Sequence, residues 1–167
     1  MAFADFQKLG DDASTGKLLE CCHSPVWAKA VAKERVRALS LAELQDAGEK
    51  LWNNLGEAEQ LEAFAAHPRI GDITSLRQKY ANTHTTASGE QSGVTGAEEH
   101  VLHNLAHLNQ QYERKHGFLF IVFATEKSAA EMLAILEARI GNPRPMEMKN
   151  AAAEQWKITK LRMEKLL

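Results

Sequence analysis

A histidine, a proline and two charged residues lie close together in the segment His67-Pro68-Arg69-Ile70-Gly71-Asp72. Pro68 fixes its own φ and moves the preceding residue out of helical geometry, so we expect His67 to end a helix. At that end the helix dipole favours the imidazolium form, and a histidine that titrates near neutral pH suits general acid–base chemistry. The alternative is structural, with His67 capping its own helix and Asp72 capping the next one.

A second polar segment, Ser88-Gly89-Glu90-Gln91-Ser92-Gly93, places a carboxylate beside a carboxamide between glycines. Glu90 has the chemistry of a base or of a group that orients His67. Gln91 offers two N–H donors and a carbonyl acceptor to a heterocycle. The alternative is an ordinary helix N-terminus, which Ser88 caps and the Glu90 carboxylate stabilises. The segment alone does not decide between the two interpretations.

Three histidines, His100, His103 and His107, follow one another at spacings of three and four, with Glu99 beside the first. This spacing places them on one face of a helix, where histidines four residues apart can bind a metal ion. The order differs from His-Glu-x-x-His, because the glutamate precedes the first histidine. A solvated helix face is therefore the more common explanation of this pattern.

The segment Phe118-Leu119-Phe120-Ile121-Val122-Phe123 is a continuous apolar run whose length and composition predict an extended buried segment. No second run of this kind exists to pair with it. Its backbone N–H and C=O groups therefore need other partners, and a ligand with amide-like edges is one candidate. Arg162, by contrast, lies in a charged stretch that is typical of a solvated helix face.

Helices must position these residues, because apolar side chains recur at spacings of three and four along most of the chain. Helix N-termini are indicated at Ser24-Pro25, at Ser40 with Glu43 three residues later, and at Ser128. We expect Gly56 and Gly117 to end helices. The predicted helices cover residues 17–22, 27–38, 40–52, 59–66, 96–115 and 128–140, with a final one through Leu166. The pattern predicts an all-α, single-domain helical bundle over residues 1–167, with an irregular active-site loop and one short extended apolar segment.

The composition is that of an ordinary globular domain, with 167 residues, 44% hydrophobic and 25% charged. Twenty basic against 22 acidic residues give a net charge of −2, which provides no bias toward nucleic acid or an anionic membrane. No apolar run approaches the roughly 20 residues of a membrane span, and no export signal is visible. Cys21 and Cys22 are adjacent, a strained geometry for a disulfide. We expect both to be reduced, in a cytoplasmic protein.

Taken together, these segments resemble the 2-oxo-4-hydroxy-4-carboxy-5-ureidoimidazoline (OHCU) decarboxylases, which complete the path from urate to S-allantoin. Each motif is weak alone, but their order and separations are specific, and the resemblance covers nearly the whole chain. The matching segments are Cys21-Cys22-His23-Ser24-Pro25-Val26-Trp27, His67 to Asp72, Glu90-Gln91-Ser92-Gly93-Val94, Leu105 to Tyr112, Gly117 to Ala124, Arg139 to Asn142, Lys157-Ile158 and Leu161-Arg162-Met163.

The resemblance implies an all-α, cofactor-free and usually homodimeric enzyme. It implies that His67 and Glu90 are the catalytic pair and that Arg162 is the arginine at the substrate. Further substrate-lining residues that it implies are Pro68, Gln91 and the backbone of Phe120, Ile121, Val122, Phe123 and Ala124. The family commonly has serine three residues before the glutamate. Here that position is Ala87 and Ser88 follows it, so either the loop shifts by one residue or that hydroxyl contact is lost.

The reaction of this family suits such residues. Loss of CO₂ leaves an electron pair that the neighbouring ring carbonyl can absorb as an enolate, so a metal or pyridoxal electron sink is not strictly needed. We expect His67 and Glu90 to bind the substrate hydroxyl and move protons, while Arg162 binds an anion or ureido carbonyl. One alternative is a non-enzymatic helical module that binds a metal or a partner through the histidine face. Another keeps the pathway but changes the step, for instance to a ureide or imidazolone hydrolase, which would need an activated water, usually on a metal.

Overall fold

The computed structural model describes residues 1–70, 73–81 and 96–167. Over these ranges the backbone forms nine α-helices and no strand, which confirms the predicted all-α class. The helices are α1 (Phe3–Gln7), α2 (Asp11–Cys21), α3 (Pro25–Glu34), α4 (Leu41–Asn53), α5 (Glu57–Ala65), α6 (Ile73–Ala81), α7 (Gly96–His116), α8 (Ala129–Ile140) and α9 (Arg144–Leu166). In the described part of the chain, no helix is long and apolar enough to cross a membrane.

The predicted helix starts are confirmed by side-chain caps. The Ser24 hydroxyl accepts from the Trp27 N–H, with Pro25 in the first turn of α3. Ser40 and Ser128 accept in the same way from the N–H groups three residues ahead, at the starts of α4 and α8. These oxygens satisfy N–H groups that have no partner within the helix, so the helix starts could be predicted from local sequence.

Several predicted boundaries are wrong. The helix predicted from residue 17 begins at Asp11, and the one predicted to reach Ala38 ends at Glu34. Gly56 does not end α4, which stops at Asn53; the glycine is the extended N-cap residue of α5. Helix α1 was not predicted. Gly117 does follow α7 with φ of +79°, a conformation that glycine adopts at little cost.

The chain divides into two compact units, and the first contains residues 1–67 and 150–167. In it α3 packs against both α2 and α4. The indole of Trp27 donates to the Gly48 carbonyl at 2.9 Å and meets the Trp156 ring edge-on at 6.4 Å. A Cβ on Gly48 would lie 3.1 Å from the Trp156 ring, so glycine permits this close approach. The indole of Trp52 donates to Ala152 in α9.

The second unit contains residues 68–149, in which α7 packs against α6 and α8. Residues 118–123, the segment predicted to be extended, follow α7 without forming a helix or a strand, and no strand exists among the described residues to pair with them. Its aromatic rings pack on α7, because Tyr112 meets Phe118 and Phe120 edge-on at 5.9 and 5.2 Å. Aromatic pairs prefer this edge-to-face arrangement, and it holds the extended segment against the helix.

Candidate active site

His67 lies directly after α5, where the sequence placed it. Its backbone N–H donates to the Phe64 carbonyl at 3.2 Å, and Pro68 follows in the chain. The α5 helix ends at Ala65 because its last turn closes on Phe64 and Pro68 disfavours helical geometry at His67. The side chain is half-buried at this helix end. Whether Asp72 caps the next helix is not decided, since it lies outside the described residues.

The imidazole of His67 is held by Gln155, a residue that was not predicted. His67 Nε2 and Gln155 Oε1 lie 2.5 Å apart. Gln155 is 1% exposed, and its amide nitrogen donates to the Thr159 hydroxyl at 3.2 Å. A signal was present in the sequence, because Gln155, Thr159 and Arg162 are spaced by four and three and therefore share one face of α9.

Burial acts against the imidazolium form that the helix dipole was expected to favour at His67. Burial lowers the pKa of His67 below its usual value near 6.5, because desolvation disfavours the charged ring. The hydrogen bond to Gln155 opposes this effect, and the positive charge of Arg162 adds to it. The neutral imidazole is thus favoured near pH 7, which is the form that accepts a proton.

A cavity of about 190 Å³ opens beside His67 within the first unit. Its volume is several times the roughly 30 Å³ that a water molecule occupies, so it can accept part of a small organic ligand. The lining residues are Gly16, Leu19, Glu20, His23, Ala63, Ala66, His67, Gln155 and Arg162.

Two residues that the sequence assigned to one site, His67 and Arg162, line this same cavity although they are 95 positions apart. Arg162 Nη1 donates to the Cys21 carbonyl at 3.3 Å, which links its guanidinium to the end of α2. The cavity therefore contains a neutral base, a fixed cation and a buried amide. This combination suits a small anionic ligand that must exchange a proton.

The extended segment lies in the second unit, and the protein itself occupies several of its carbonyls. Arg139 Nη1 donates to the Ile121 carbonyl at 2.7 Å, and Lys127 Nζ donates to that of Phe123 at 2.6 Å. The Lys127 backbone N–H donates to the Ala124 carbonyl. These three carbonyls already have hydrogen-bond donors within the protein. The prediction that a ligand binds the backbone of this segment therefore applies to its other N–H and C=O groups.

Arg139 belongs to a buried polar cluster that was not predicted. Its Nε donates to Glu147 Oε1 at 2.8 Å, and its guanidinium lies over the Phe120 ring at 4.7 Å. Glu147 is fully buried and also accepts from the Tyr112 hydroxyl and the Asn142 amide. Buried charges persist only when they are paired and hydrogen-bonded, so this cluster fixes the position of the extended segment.

Four predicted site residues, Ala87, Ser88, Glu90 and Gln91, lie outside the described residues, and their roles stay predictions. Pro68 is described as an exposed residue that directly follows His67.

The three histidines of α7, His100, His103 and His107, are exposed. Glu99 accepts two hydrogen bonds of 2.6 and 2.8 Å from Arg77. The Oε2 atom of Glu99 also lies 3.8 Å from His103 Nε2. Over residues 1–70, 73–81 and 96–167, no group of three His, Cys, Asp or Glu side chains is placed to hold a metal ion. The metal-binding alternative therefore finds no ligand set in this range.

Comparison with known proteins adds independent information. The family model described as OHCU decarboxylase matches residues 7–164. The uric acid degradation bifunctional protein TTL of Arabidopsis thaliana is 36% identical over 149 residues, which are 87% of this chain and 45% of that protein. A protein of Haloferax volcanii named 2-oxo-4-hydroxy-4-carboxy-5-ureidoimidazoline decarboxylase is 25% identical over 159 residues, 93% of this chain and 90% of its own length. This chain thus spans less than half of the Arabidopsis protein.

Solved structures agree in fold. A crystal structure of OHCU decarboxylase in the presence of (S)-allantoin is similar with a TM-score of 0.71 and 35% identity, over 95% of this chain and 98% of that one. A structure of (S)-allantoin synthase is similar with a TM-score of 0.76 over all of this chain and 54% of its own. At 20% identity the second structure supports the fold alone.

Proposed function

The chain belongs to the OHCU decarboxylase family, and we propose that it is a decarboxylase of urate degradation that converts OHCU to S-allantoin with His67 as its acid–base group. The observation that supports this most directly is the cavity shared by His67 and Arg162. The family match spans residues 7–164, which supports our proposal that residues 1–167 act as one catalytic domain.

The reaction breaks the bond between a ring carbon and its carboxylate and releases CO₂. The electron pair of that bond passes into the adjacent unsaturated group of the ring, giving an enol or enolate, and a proton is then added to the neighbouring carbon. The enzyme must orient the carboxylate, stabilise the developing charge and deliver the proton to one face. Positioning and fixed electrostatics supply most of such a rate enhancement.

The cavity supports a division of roles. Burial keeps the pKa of His67 low, so its imidazole is neutral near pH 7. The neutral ring has a lone pair that accepts the proton of the substrate hydroxyl. Arg162 binds an anionic or carbonyl oxygen of the substrate, because its guanidinium is permanently charged and planar. Glu90 is the second acid–base group and binds the substrate hydroxyl together with His67, and the proton that His67 takes up is the one returned to the ring carbon. The resemblance alone supports our proposal that Pro68, Gln91, Ala87 or Ser88, and free backbone groups of residues 120–124 contribute to substrate binding.

The test is optical. Uricase and hydroxyisourate hydrolase generate the unstable substrate in the cuvette, and circular dichroism follows the appearance of S-allantoin. We expect rapid formation of one enantiomer with this protein and a loss of about 10²–10⁴-fold in kcat/KM with His67→Asn. Slow, racemic allantoin at the spontaneous rate in the presence of wild-type protein would refute the function. Wild-type activity in His67→Asn would refute the mechanism only.

Two further properties rest on the resemblance. We propose that the protein is a homodimer, and light scattering after size-exclusion chromatography would show a mass of one chain if this is wrong. We also propose a cytoplasmic location, which the two buried, unbridged thiols of Cys21 and Cys22 support. Fractionation of cells that express the tagged full-length protein tests the location.

A further inference from the structure

Gln155 connects the hydroxyl of Thr159 to the imidazole of His67. It lies in α9, it is 1% exposed, and it lines the cavity beside His67. Its amide group makes two hydrogen bonds, one from each end. A buried carboxamide with both ends engaged has a single orientation, so its partners fix which end faces the histidine.

Thr159 determines that orientation. Its hydroxyl donates its only proton to the Gln155 backbone carbonyl at 2.9 Å. The hydroxyl oxygen is therefore an acceptor toward the Gln155 side chain, and the group 3.2 Å away must be the NH₂ end. Turning the amide over would break this pair or require the hydroxyl to give up its backbone bond. The carbonyl end, Oε1, consequently faces His67.

The orientation of Gln155 fixes the tautomer of His67. Oε1 can only accept, so the ring nitrogen 2.5 Å away, Nε2, must carry a hydrogen. A neutral imidazole has one N–H, so the lone pair that accepts a proton is then on Nδ1. Protonation adds the second hydrogen at Nδ1 and leaves the Gln155 bond intact.

We propose that Gln155 is a positioning residue that holds His67 as its Nε2–H tautomer, so that Nδ1 is the atom which takes up and returns the proton during decarboxylation. This inference rests on the proposed function for its catalytic part. Three charged or titratable groups line the cavity around the ring: Arg162 from α9, Glu20 from α2, and His23 just beyond α2. An amide acceptor sets the tautomer without adding another charge.

The tautomer is testable without substrate. Long-range ¹H–¹⁵N correlation spectra of ¹⁵N-histidine-labelled protein, recorded above the pKa of His67, distinguish a protonated Nε2 from a protonated Nδ1. We expect the Nε2–H pattern for His67 in wild type and a mixture of the two tautomers in Gln155→Leu. An Nδ1–H pattern in wild type, or an unchanged pattern in Gln155→Leu, would overturn the proposal.

Kinetics test the consequence. A triad histidine held in the wrong tautomer loses as much as about 10⁴-fold in kcat. Because the His67 ring in Gln155→Leu still samples the correct tautomer, we expect a smaller loss, about 10- to 100-fold, with KM changed much less. Gln155→Glu keeps an acceptor and adds a charge, so it should retain more activity and move the acidic limb of kcat/KM to higher pH. Equal losses in the Leu and Glu variants would contradict a positioning role.

Gln45→Leu is the matched control. Gln45 is also buried in the first unit and donates to the Lys160 carbonyl of α9 at 3.3 Å, but it does not line the cavity. We expect its kcat and pH profile to equal those of wild type, and an equal loss there would identify a general packing effect. Thr159→Val, which removes only the group that orients the amide, should shift the tautomer in the same direction as Gln155→Leu. Inactive wild type would refute the proposed function, and the spectra would still decide the role of Gln155.

Discussion

Replacing Arg139 with methionine should destabilise the protein strongly. The side chain of Glu147 is completely buried, with 0% of its surface accessible to solvent. Arg139 is a cationic partner of this carboxylate, at 2.8 Å. In Arg139→Met the carboxylate keeps the Tyr112 hydroxyl and the Asn142 amide as donors but loses the positive charge of Arg139. Breaking a buried ion pair from one side costs about 3–5 kcal/mol. The Ile121 carbonyl loses its donor in the same variant.

The predicted loss is large enough to measure in two ways. For a chain of this size, 1 kcal/mol lowers the melting temperature by about 2–4 °C, so the variant should melt roughly 6–20 °C below wild type. Urea unfolding followed by far-ultraviolet circular dichroism gives the free energy directly. A second variant, Arg139→Met with Glu147→Leu, removes both charges and should recover at least half of the loss, because an apolar pair of similar volume is often as stable as a buried ion pair.

A matched control separates burial from charge. Arg69 pairs with Glu113 at 2.7 Å in the same unit, but the arginine side chain is 74% exposed. Arg69→Met should therefore change the free energy of unfolding by no more than about 1 kcal/mol. A loss in Arg139→Met as small as that of Arg69→Met would refute the reasoning, since it would mean that Glu147 does not need its buried partner.

Three further outcomes are expected. Arg162→Lys keeps the charge but loses the planar fork, so kcat/KM should fall roughly 10- to 100-fold, the value of one charge-assisted hydrogen bond; an unchanged kcat/KM in steady-state assays would contradict a contact between Arg162 and the substrate. Burial raises the pKa of Cys21 to about 12 and that of Cys22 to about 11, so Ellman's reagent should label native protein at pH 8 only slowly and urea-unfolded protein at once; rapid native labelling would contradict this. Burial lowers the pKa of His116 below 6.5, so the unfolded chain binds more protons than the folded one as pH falls through 6.5, and the free energy of unfolding should fall with pH. Urea titrations of His116→Asn should show a smaller loss of this free energy between pH 7.5 and 5.5 than those of wild type. An equal loss would exclude His116 as the cause.

Local sequence predicted the helices well wherever a serine cap marks their start. Ser24, Ser40 and Ser128 each satisfy an N–H group only three residues away, so a short window contains all the information. Boundaries without such a cap were less accurate. The N-cap residue of α2 is Gly10, which has no side chain to cap the helix. The helix begins at Asp11, well before the predicted start at residue 17. Gly56 was predicted to end a helix, because glycine is common there, but it is the N-cap residue of α5.

The sequence by itself determined the helical class, the position of His67 at a helix end and the membership of a family of decarboxylases, because caps, proline effects and ordered motifs act over a few residues. Tertiary structure decided the hydrogen-bond partners of these side chains and the pKa of His67. The partner of His67 is Gln155, 88 positions away, and the buried partner of Arg139 is Glu147 in another helix. The pKa of His67 is lowered chiefly by desolvation from packed neighbours. Desolvation depends on which distant segments pack together, and no local pattern specifies that.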